Sequence, residues 1–197
     1  EHIEQKEKKQ NPYPPFITSS LAATAAGKYK FSAARTMKAA QSLYESGLIT
    51  YMRTDSFRIS EEAIISCREF LQNKKIELPK EFNLYSKTNG QDAHEAIRPT
   101  DIYSLPAGML LLEDEKKIYQ LIWERFVASQ MKPSIFDTLS VIVKTDNGHI
   151  LKTNGRVLKD KGWLEITEDF EDSSKDVKLP PLKIGSPSAV RSSRCSA

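Results

Sequence analysis

Pro133 constrains the fold more than any other single residue, because it separates two stretches with different patterns of apolar side chains. Before it, apolar residues recur at the three- and four-residue spacing of amphipathic helices. After it, residues 136–145 are rich in strand-forming side chains, and residues 146–148 (Asp-Asn-Gly) form a hairpin turn signal before a returning strand over residues 149–153. Proline does not continue a helix, so a mainly helical part should end near residue 134. The sequence therefore predicts an α+β protein.

Four helices are predicted before Pro133, each from a capping residue followed by apolar periodicity. They are an alanine-rich helix from Thr18 or Ser19 to near Gly27, a second over Ala33–Ser46 after the cap Ser32, a third over about Glu61–Asn73 after the cap Ser60, and a fourth over about Asp114–Met131. In the second helix, the spacing predicts a core-facing stripe of Ala33, Met37, Ala40 and Tyr44. In the fourth, it predicts an inner face of Ile118, Leu121, Ile122 and Phe126. Residues 74–112 are expected to be irregular, and residues 157 and 163–166 are expected to add sheet.

The composition is typical of a soluble globular protein, with 39% hydrophobic and 28% charged residues in a chain of 197. Cys67 and Cys195 form no CxxC pair, which argues against a zinc site and favours a reducing, cytoplasmic setting. No apolar run is long enough for a membrane span. The polar opening without an initial Met suggests a piece of a longer polypeptide.

The net charge of +3 is too small to identify a nucleic-acid partner, but the basic residues are unevenly spread. Residues 27–58 hold six basic side chains against two acidic ones. Such a surface can bind phosphates, and it can equally be a solvated helix face. Arg35 and Lys38, on the outer side of the second helix, are the candidate contacts with a DNA backbone.

Tyr51 and Arg53 are the residues most suggestive of chemistry. In an extended segment, side chains two positions apart point to the same side, about 6–7 Å apart. An arginine can bind a phosphate through its planar fork while a neighbouring tyrosine attacks the phosphorus. The alternative is that Tyr51 is a packing residue, which spacing alone leaves open.

Four runs of sequence resemble those of one family. Residues 47–56 (GLITYMRTDS) resemble the active-site segment of type IA DNA topoisomerases, and residues 93–100 (AHEAIRPT) are similar to a second signature of that family. Residues 15–19 (PFITS) and 121–128 (LIWERFVA) also match, in the family's order. Met52, where the topoisomerase III branch typically has proline, favours the bacterial topoisomerase I branch, and reverse gyrase is a less similar relative.

The resemblance implies roles for individual residues. Tyr51 would attack a phosphodiester of single-stranded DNA and stay joined to the 5′ phosphate, so that religation needs no ATP. Arg53 would hold the scissile phosphate, and His94 would contact DNA near the active site. Arg98 would either bind phosphate or brace the loop at Pro99.

The resemblance also implies that the complete enzyme relaxes negative supercoils with the help of Mg²⁺. The metal ligands of the family lie in a separate N-terminal domain, and no carboxylate cluster is visible in this sequence. We therefore expect no metal ligand in this chain and no relaxation by this chain alone. The expected partners are DNA, single-stranded at the cleavage site, and the remaining domains of the same polypeptide in a bacterial cytoplasm, associated with the nucleoid.

The family's fold implies four segments. Residues 1–10 would end a preceding arch segment, and residues 11–133 would form a helical gate domain with a helix-turn-helix or winged-helix-like core. Residues 134–185 would belong to a β-rich arch, and residues 186–197 would be a tail that is either disordered or a cloning remnant. The rival interpretation is a non-catalytic DNA-binding module with a winged-helix-like core, in which Tyr51 only packs.

Overall fold

The computed structural model describes residues 2–81, 83, 85, 94–144 and 148–167. In these residues the chain forms four α-helices and three strands, so the α+β class is confirmed. The elements are β1 (His2–Gln10), α1 (Thr18–Tyr29), α2 (Ala33–Glu45), α3 (Glu61–Asn73), α4 (Glu113–Ser129), β2 (Ser134–Lys144) and β3 (Ile150–Asp160). None of the helices in these described residues is long and apolar enough to cross a bilayer.

The predicted serine caps of α2 and α3 are confirmed. The hydroxyl of Ser32 accepts a hydrogen bond from the Arg35 amide at 3.2 Å, and that of Ser60 accepts one from the Ala63 amide at 3.4 Å. Helix α2 ends before Gly47, whose φ of 71° lies in the left-handed region that favours glycine. This turn leads the chain directly into residues 47–56.

The predicted core face of α2 is confirmed at Ala40 and in part at Met37, which is half-buried against the core, and it is wrong at Ala33 and Tyr44. The buried residues are Thr36, Ala39, Ala40 and Leu43, whereas Tyr44 is 40% exposed. The buried positions 36, 39, 40 and 43 also recur at the three- and four-residue spacing of a helix face, so the observed stripe is rotated from the predicted one and shares Ala40 with it. Thr36 can be buried because its hydroxyl donates a hydrogen bond to the Ser32 carbonyl at 3.1 Å.

Helix α4 contributes most to the core of the helical part. Its predicted inner residues are all buried, namely Ile118, Leu121, Ile122 and Phe126. α4 packs against both α1 and α2. The indole of Trp123 is also buried and donates a hydrogen bond to the Ile102 carbonyl at 3.0 Å, so part of the predicted irregular segment 74–112 is fixed to this helix.

The described residues divide into two compact units: residues 10–134 with 161–167, and residues 2–9 with 135–160. The second unit is a sheet with the strand order β1-β2-β3, in which β2 and β3 are antiparallel and Leu139 faces Gly155. In the predicted turn at residues 146–148, Gly148 has a φ of 83°, whereas residues 146 and 147 lie outside the described residues, as does the predicted tail at residues 186–197.

The predicted sheet at residues 163–166 is wrong, because Gly162–Glu165 is a short 3-10 helix in the first unit. Gly162 has a φ of 49°, and a side chain there would come within 2.4 Å of the Pro133 carbonyl oxygen. The tight approach lets the Trp163 amide donate to the Lys132 carbonyl at 2.9 Å. Trp163 is buried, and its indole donates to the Gln10 carbonyl at 3.0 Å.

Candidate active site around Tyr51

Residues 47–56 are called the tyrosine segment below, and within it residues 51–56 alternate between exposed and buried side chains. Met52, Thr54 and Ser56 are buried, whereas Tyr51, Arg53 and Asp55 are exposed. This alternation agrees with the predicted extended conformation, but the segment is not a regular strand. Its one bridge is isolated and pairs residue 49 with residue 99. The alternation nevertheless places the Tyr51 and Arg53 side chains on the exposed side, as the two-residue spacing predicts.

The tyrosine segment is hydrogen-bonded to the AHEAIRPT run. The Thr50 amide donates to the Arg98 carbonyl at 2.9 Å, and the Thr100 amide donates to the Leu48 carbonyl at 3.0 Å. The Thr50 hydroxyl donates to the Ala96 carbonyl at 2.7 Å and accepts from the Arg98 amide at 3.0 Å. These bonds fix the backbone just before Tyr51.

The PFITS run is bonded to the other side of the site. The Thr18 hydroxyl donates to the Met52 carbonyl at 2.7 Å and accepts from the Thr54 amide at 2.9 Å. The Phe16 carbonyl accepts from the Ile97 amide at 2.8 Å. Three runs that are distant in sequence therefore meet at the tyrosine segment, and they satisfy one another's backbone groups.

Two rings flank the exposed ring of Tyr51. Tyr44 meets it edge-on, with the ring centroids 5.2 Å apart and the planes at 66°, and the centroid of His94 lies 5.9 Å away at 31°. Tyr44 and His94 are both exposed, and Tyr51 is 39% exposed. The sequence analysis missed Tyr44, because the apolar stripe placed it in the core. The signal that could have found it is the glycine turn at Gly47, which reverses the chain between residues 44 and 51.

Arg53 and Lys38 are exposed cations. Within the part of the chain that the structure describes, neither makes a hydrogen bond or an ion pair. Their donors are therefore not committed to a neighbour, as a phosphate contact requires.

Arg98 and Arg35 have protein partners instead. Arg98 is largely buried and makes two bonds to the Glu95 carboxylate, at 2.6 and 2.9 Å, and one to the Pro99 carbonyl at 3.1 Å. Arg35 makes two bonds to the Asp114 carboxylate, at 2.6 and 2.7 Å. The hydrogen bond to Asp114 raises the pKa of Arg35, and that from Arg35 lowers the pKa of Asp114. The geometry of Arg98 thus fits the bracing alternative better than phosphate binding.

Chemically, the site offers a phenol as nucleophile and a guanidinium that can stabilise a phosphoryl transition state. No group of three or more His, Cys, Asp or Glu side chains that could hold a metal ion occurs among the described residues. These residues do not fit a magnesium centre.

The chain matches the model of the DNA topoisomerase family over residues 1–197. It is 39% identical to DNA topoisomerase 1 of Haemophilus influenzae over 193 residues, covering 96% of this chain and 22% of that protein. It is 43% identical to DNA topoisomerase 1 of Campylobacter jejuni over 197 residues, covering 93% of this chain and 28% of that protein. Full-length topoisomerase I from Thermotoga maritima has a similar structure, with a TM-score of 0.76 and 34% identity, over 93% of this chain and 31% of that one. The chain thus spans about a fifth to a third of these relatives.

Proposed function

The chain belongs to the bacterial type IA DNA topoisomerases, in the topoisomerase I branch, and we propose from this premise that it supplies the tyrosine that cuts one DNA strand. The phenol oxygen of Tyr51 attacks the phosphorus of a phosphodiester in single-stranded DNA. A bond forms between Tyr51 and the 5′ phosphate, and the bond from phosphorus to the 3′ oxygen breaks. The phenol proton is lost and the 3′ oxygen leaves as a hydroxyl. Since one ester replaces another, the reverse reaction reseals the strand without ATP.

The observation that carries this proposal is the convergence of the three motif runs on an exposed tyrosine. The PFITS and AHEAIRPT runs hold the backbone of the tyrosine segment from both sides. The phenol of Tyr51 is left accessible to a strand of DNA. A packing tyrosine needs no such accessibility.

The neighbouring residues take distinct roles in the proposal. Arg53 binds the scissile phosphate and stabilises the charge that develops on it, since it is exposed on the same side as Tyr51. His94 contacts DNA beside the attacked phosphate, and its ring holds one side of the Tyr51 ring. Tyr44 holds the other side.

The remaining candidates lie farther from the chemistry. Lys38 contacts the DNA backbone through its uncommitted ammonium group. Arg35 does so only if it leaves Asp114, and is the weaker candidate. Arg98 braces the AHEAIRPT run through Glu95.

In the whole enzyme we propose that this chain forms a movable gate and part of the arch that carries it. The helical gate comprises residues 11–133 and has a helix-turn-helix-like core, and hinges lie at residues 11–15 and 132–134. The arch comprises residues 1–10 and 134–185, apart from residues 161–167, which belong to the helical unit. Mg²⁺ ligands lie in another part of the polypeptide, so the chain alone cleaves without relaxing supercoils, or does neither. Cross-links across both hinges should abolish strand passage and spare cleavage. Loss of cleavage as well would count against the gate.

The second candidate function is a non-catalytic DNA-binding module. One observation favours it: the exposed rings of Tyr44, Tyr51 and His94 lie in contact, and aromatic rings are platforms on which bases stack. In this case Tyr51 binds DNA but forms no covalent bond.

Covalent trapping distinguishes the two functions. The chain is supplied with the N-terminal metal-binding part of a relative, by fusion or in trans, with Mg²⁺ and single-stranded DNA labelled at its 3′ end. We expect label to migrate with the protein on a denaturing gel for the unmodified chain and for Tyr44→Phe, which removes a neighbouring hydroxyl as a matched control. Tyr51→Phe should give none.

Two results would contradict the proposal. Label that persists in Tyr51→Phe would show that another residue is the nucleophile. Absence of label in all three proteins, when each is folded and bound to DNA, would favour the non-catalytic module.

A further inference from the structure

A cavity of about 150 Å³ lies in the helical unit between α1 and α4, and its described lining includes none of Tyr51, Arg53 and His94. Its lining includes Thr24 and Lys28 of α1, Glu124 and Arg125 of α4, and the rings of Tyr13 and Trp163. The volume is several times that needed by one water molecule, and the lining is polar as well as aromatic. The cavity can therefore hold a small polar group.

Arg125 is the unusual member of this lining. The carbon at the centre of its guanidinium lies 4.4 Å from the ring centroid of Phe16 and 4.9 Å from that of Tyr13. Burial lowers the pKa of Arg125, because the charged form is partly removed from water. Within the residues that the structure describes, this side chain makes no hydrogen bond and no ion pair.

A comparison with Arg35 and Arg98 shows what Arg125 lacks. Each of those two arginines uses two N–H groups on one carboxylate. The aromatic rings beside Arg125 stabilise its positive charge, but no carboxylate among the described residues accepts a hydrogen bond from its five N–H donors. A bound anion would therefore supply acceptors that the described residues do not offer to Arg125.

The charges around the cavity indicate which anion fits. Lys28 and Arg125 contribute two positive charges, and Glu124 contributes one negative charge. The Glu124 carboxylate accepts a hydrogen bond from Gln120 at 2.8 Å. A single excess positive charge suits a monoanion, such as the phosphodiester of a nucleic-acid backbone, better than a dianionic phosphate monoester.

We propose that this cavity binds one backbone phosphate of DNA, with Arg125 donating two parallel hydrogen bonds to the phosphate oxygens. The choice of DNA as the source of the phosphate rests on the proposed function; the affinity of the cavity for a phosphodiester does not. The cavity anchors the strand at a position that takes no part in cleavage.

The first test is the salt dependence of single-stranded DNA binding by the 197-residue chain, measured by fluorescence anisotropy. Each phosphate neutralised adds about 0.7 to the slope of log K against log salt for a single strand. Arg125→Gln should reduce the slope by about that amount and weaken binding roughly tenfold. Arg125→Lys keeps the charge but loses the fork, so it should weaken binding and preserve the slope.

The matched control is Lys117→Gln, which removes one positive charge from the same helix, α4. Lys117 is paired with Glu113 at 3.0 Å, so its loss should leave the slope unchanged. Tyr51→Phe should bind single-stranded DNA with the same salt slope as the unmodified chain, because it loses only the attacking hydroxyl. The salt slope therefore tests the phosphate site, and covalent trapping separately tests the proposed cleavage. An unchanged slope in Arg125→Gln, with the protein folded by circular dichroism, would overturn the phosphate site.

The second test uses dimethyl phosphate, a monoanionic diester, and needs no DNA. At equal ionic strength it should raise the thermal midpoint of the unmodified chain above that in chloride, because a ligand that binds only the folded state stabilises it. The same salt should raise the midpoint of Arg125→Lys by less, because a lysine keeps the charge but not the fork, and this variant serves if Arg125→Gln does not fold. Equal midpoints in the two salts for the unmodified chain would overturn the proposal.

Discussion

The tyrosine segment and strand β3 are both extended, but they are fixed in opposite ways. β3 is a regular strand whose backbone pairs with β2 from end to end, yet Gly155 is its only buried residue. The tyrosine segment has a single bridge and no regular ladder, yet every second side chain from residue 52 to residue 56 is buried. Regular secondary structure is therefore a poor guide to which extended segment is held in place by side chains.

The tyrosine segment is held by side-chain hydrogen bonds and by a buried side chain, whereas β3 is held by the backbone hydrogen bonds of the sheet. In the tyrosine segment, hydroxyls of Thr18 and Thr50 bond to backbone groups of neighbouring runs, and Met52 is inserted into the core. Such anchoring fixes alternate residues and leaves Tyr51 and Arg53 free to face a substrate. A two-stranded ladder with exposed faces fixes the backbone but no particular side chain.

The largest expected effect comes from removing the buried anchor between Tyr51 and Arg53. Met52 is 1% exposed, so Met52→Ala should leave a cavity and lower the free energy of unfolding by about 2–5 kcal/mol. Val157→Ala in β3, where the side chain is 43% exposed, should change it by less than about 0.5 kcal/mol. The free energies of unfolding of the two variants are compared by urea unfolding, monitored by far-ultraviolet circular dichroism.

Tryptophan fluorescence sharpens this test. Trp123 and Trp163, both buried in the helical unit, report the transition of that unit alone. Equal shifts for the two variants would mean that burial does not distinguish the two segments, and the comparison would fail.

The next effect concerns the hydroxyl that ties the tyrosine segment to the AHEAIRPT run. Thr50→Val preserves shape but leaves the Ala96 carbonyl and the Arg98 amide without their partner. Stability should fall by about 1–3 kcal/mol, and covalent trapping should fall with it, because the backbone beside Tyr51 loosens. Thr138→Val in β2 is the control, since its hydroxyl also bonds a carbonyl, that of Lys6, but in the sheet. Loss of covalent trapping in Thr138→Val but not in Thr50→Val would contradict the role of Thr50 in holding the backbone beside Tyr51.

The fold was predictable wherever a local signal has a strong physical cause. Ser32 and Ser60 cap their helices as predicted, and the apolar stripe of α4 faces the core as predicted. The alternation around Tyr51 followed from the geometry of extended chain. These signals depend only on neighbouring residues.

The errors arose where a distant contact decides the outcome. The sequence predicts Trp163 in a strand, but its indole donates a hydrogen bond to the Gln10 carbonyl. The close approach of Gly162 to Pro133 accompanies a 3-10 helix at this point. The sequence predicts Tyr44 in the core, but the buried face of α2 includes Leu43 and leaves Tyr44 exposed beside it. The carboxylate partners of Arg35 and Arg98 were likewise absent from the prediction, although one lies three residues from its arginine.

A smaller effect is expected at Tyr44, which packs on the exposed part of the tyrosine segment. Edge-to-face aromatic pairs contribute about 0.5–1.5 kcal/mol, so Tyr44→Ala should slow single-turnover cleavage at saturating DNA roughly three- to tenfold. Tyr44→Phe keeps the ring edge and should restore the rate. A loss of DNA affinity with an unchanged saturated rate would mean that Tyr44 stacks on bases and does not position Tyr51.

The smallest effect is expected in the sheet, at the exposed ion pair of Lys159 and Glu7, whose atoms are 2.7 Å apart. The hydrogen bond from Lys159 lowers the pKa of Glu7, so any stabilisation is present above the unfolded pKa of that carboxyl and is lost as the pH falls through its folded value. Because both groups are exposed, Lys159→Gln should leave the thermal midpoint unchanged within error at neutral and at acidic pH. Hydrogen exchange of the β3 amides provides the finer measurement. Unchanged protection would show that the backbone ladder alone holds this strand, whereas protection lost at neutral pH only would show that β3, like the tyrosine segment, depends on a side-chain anchor.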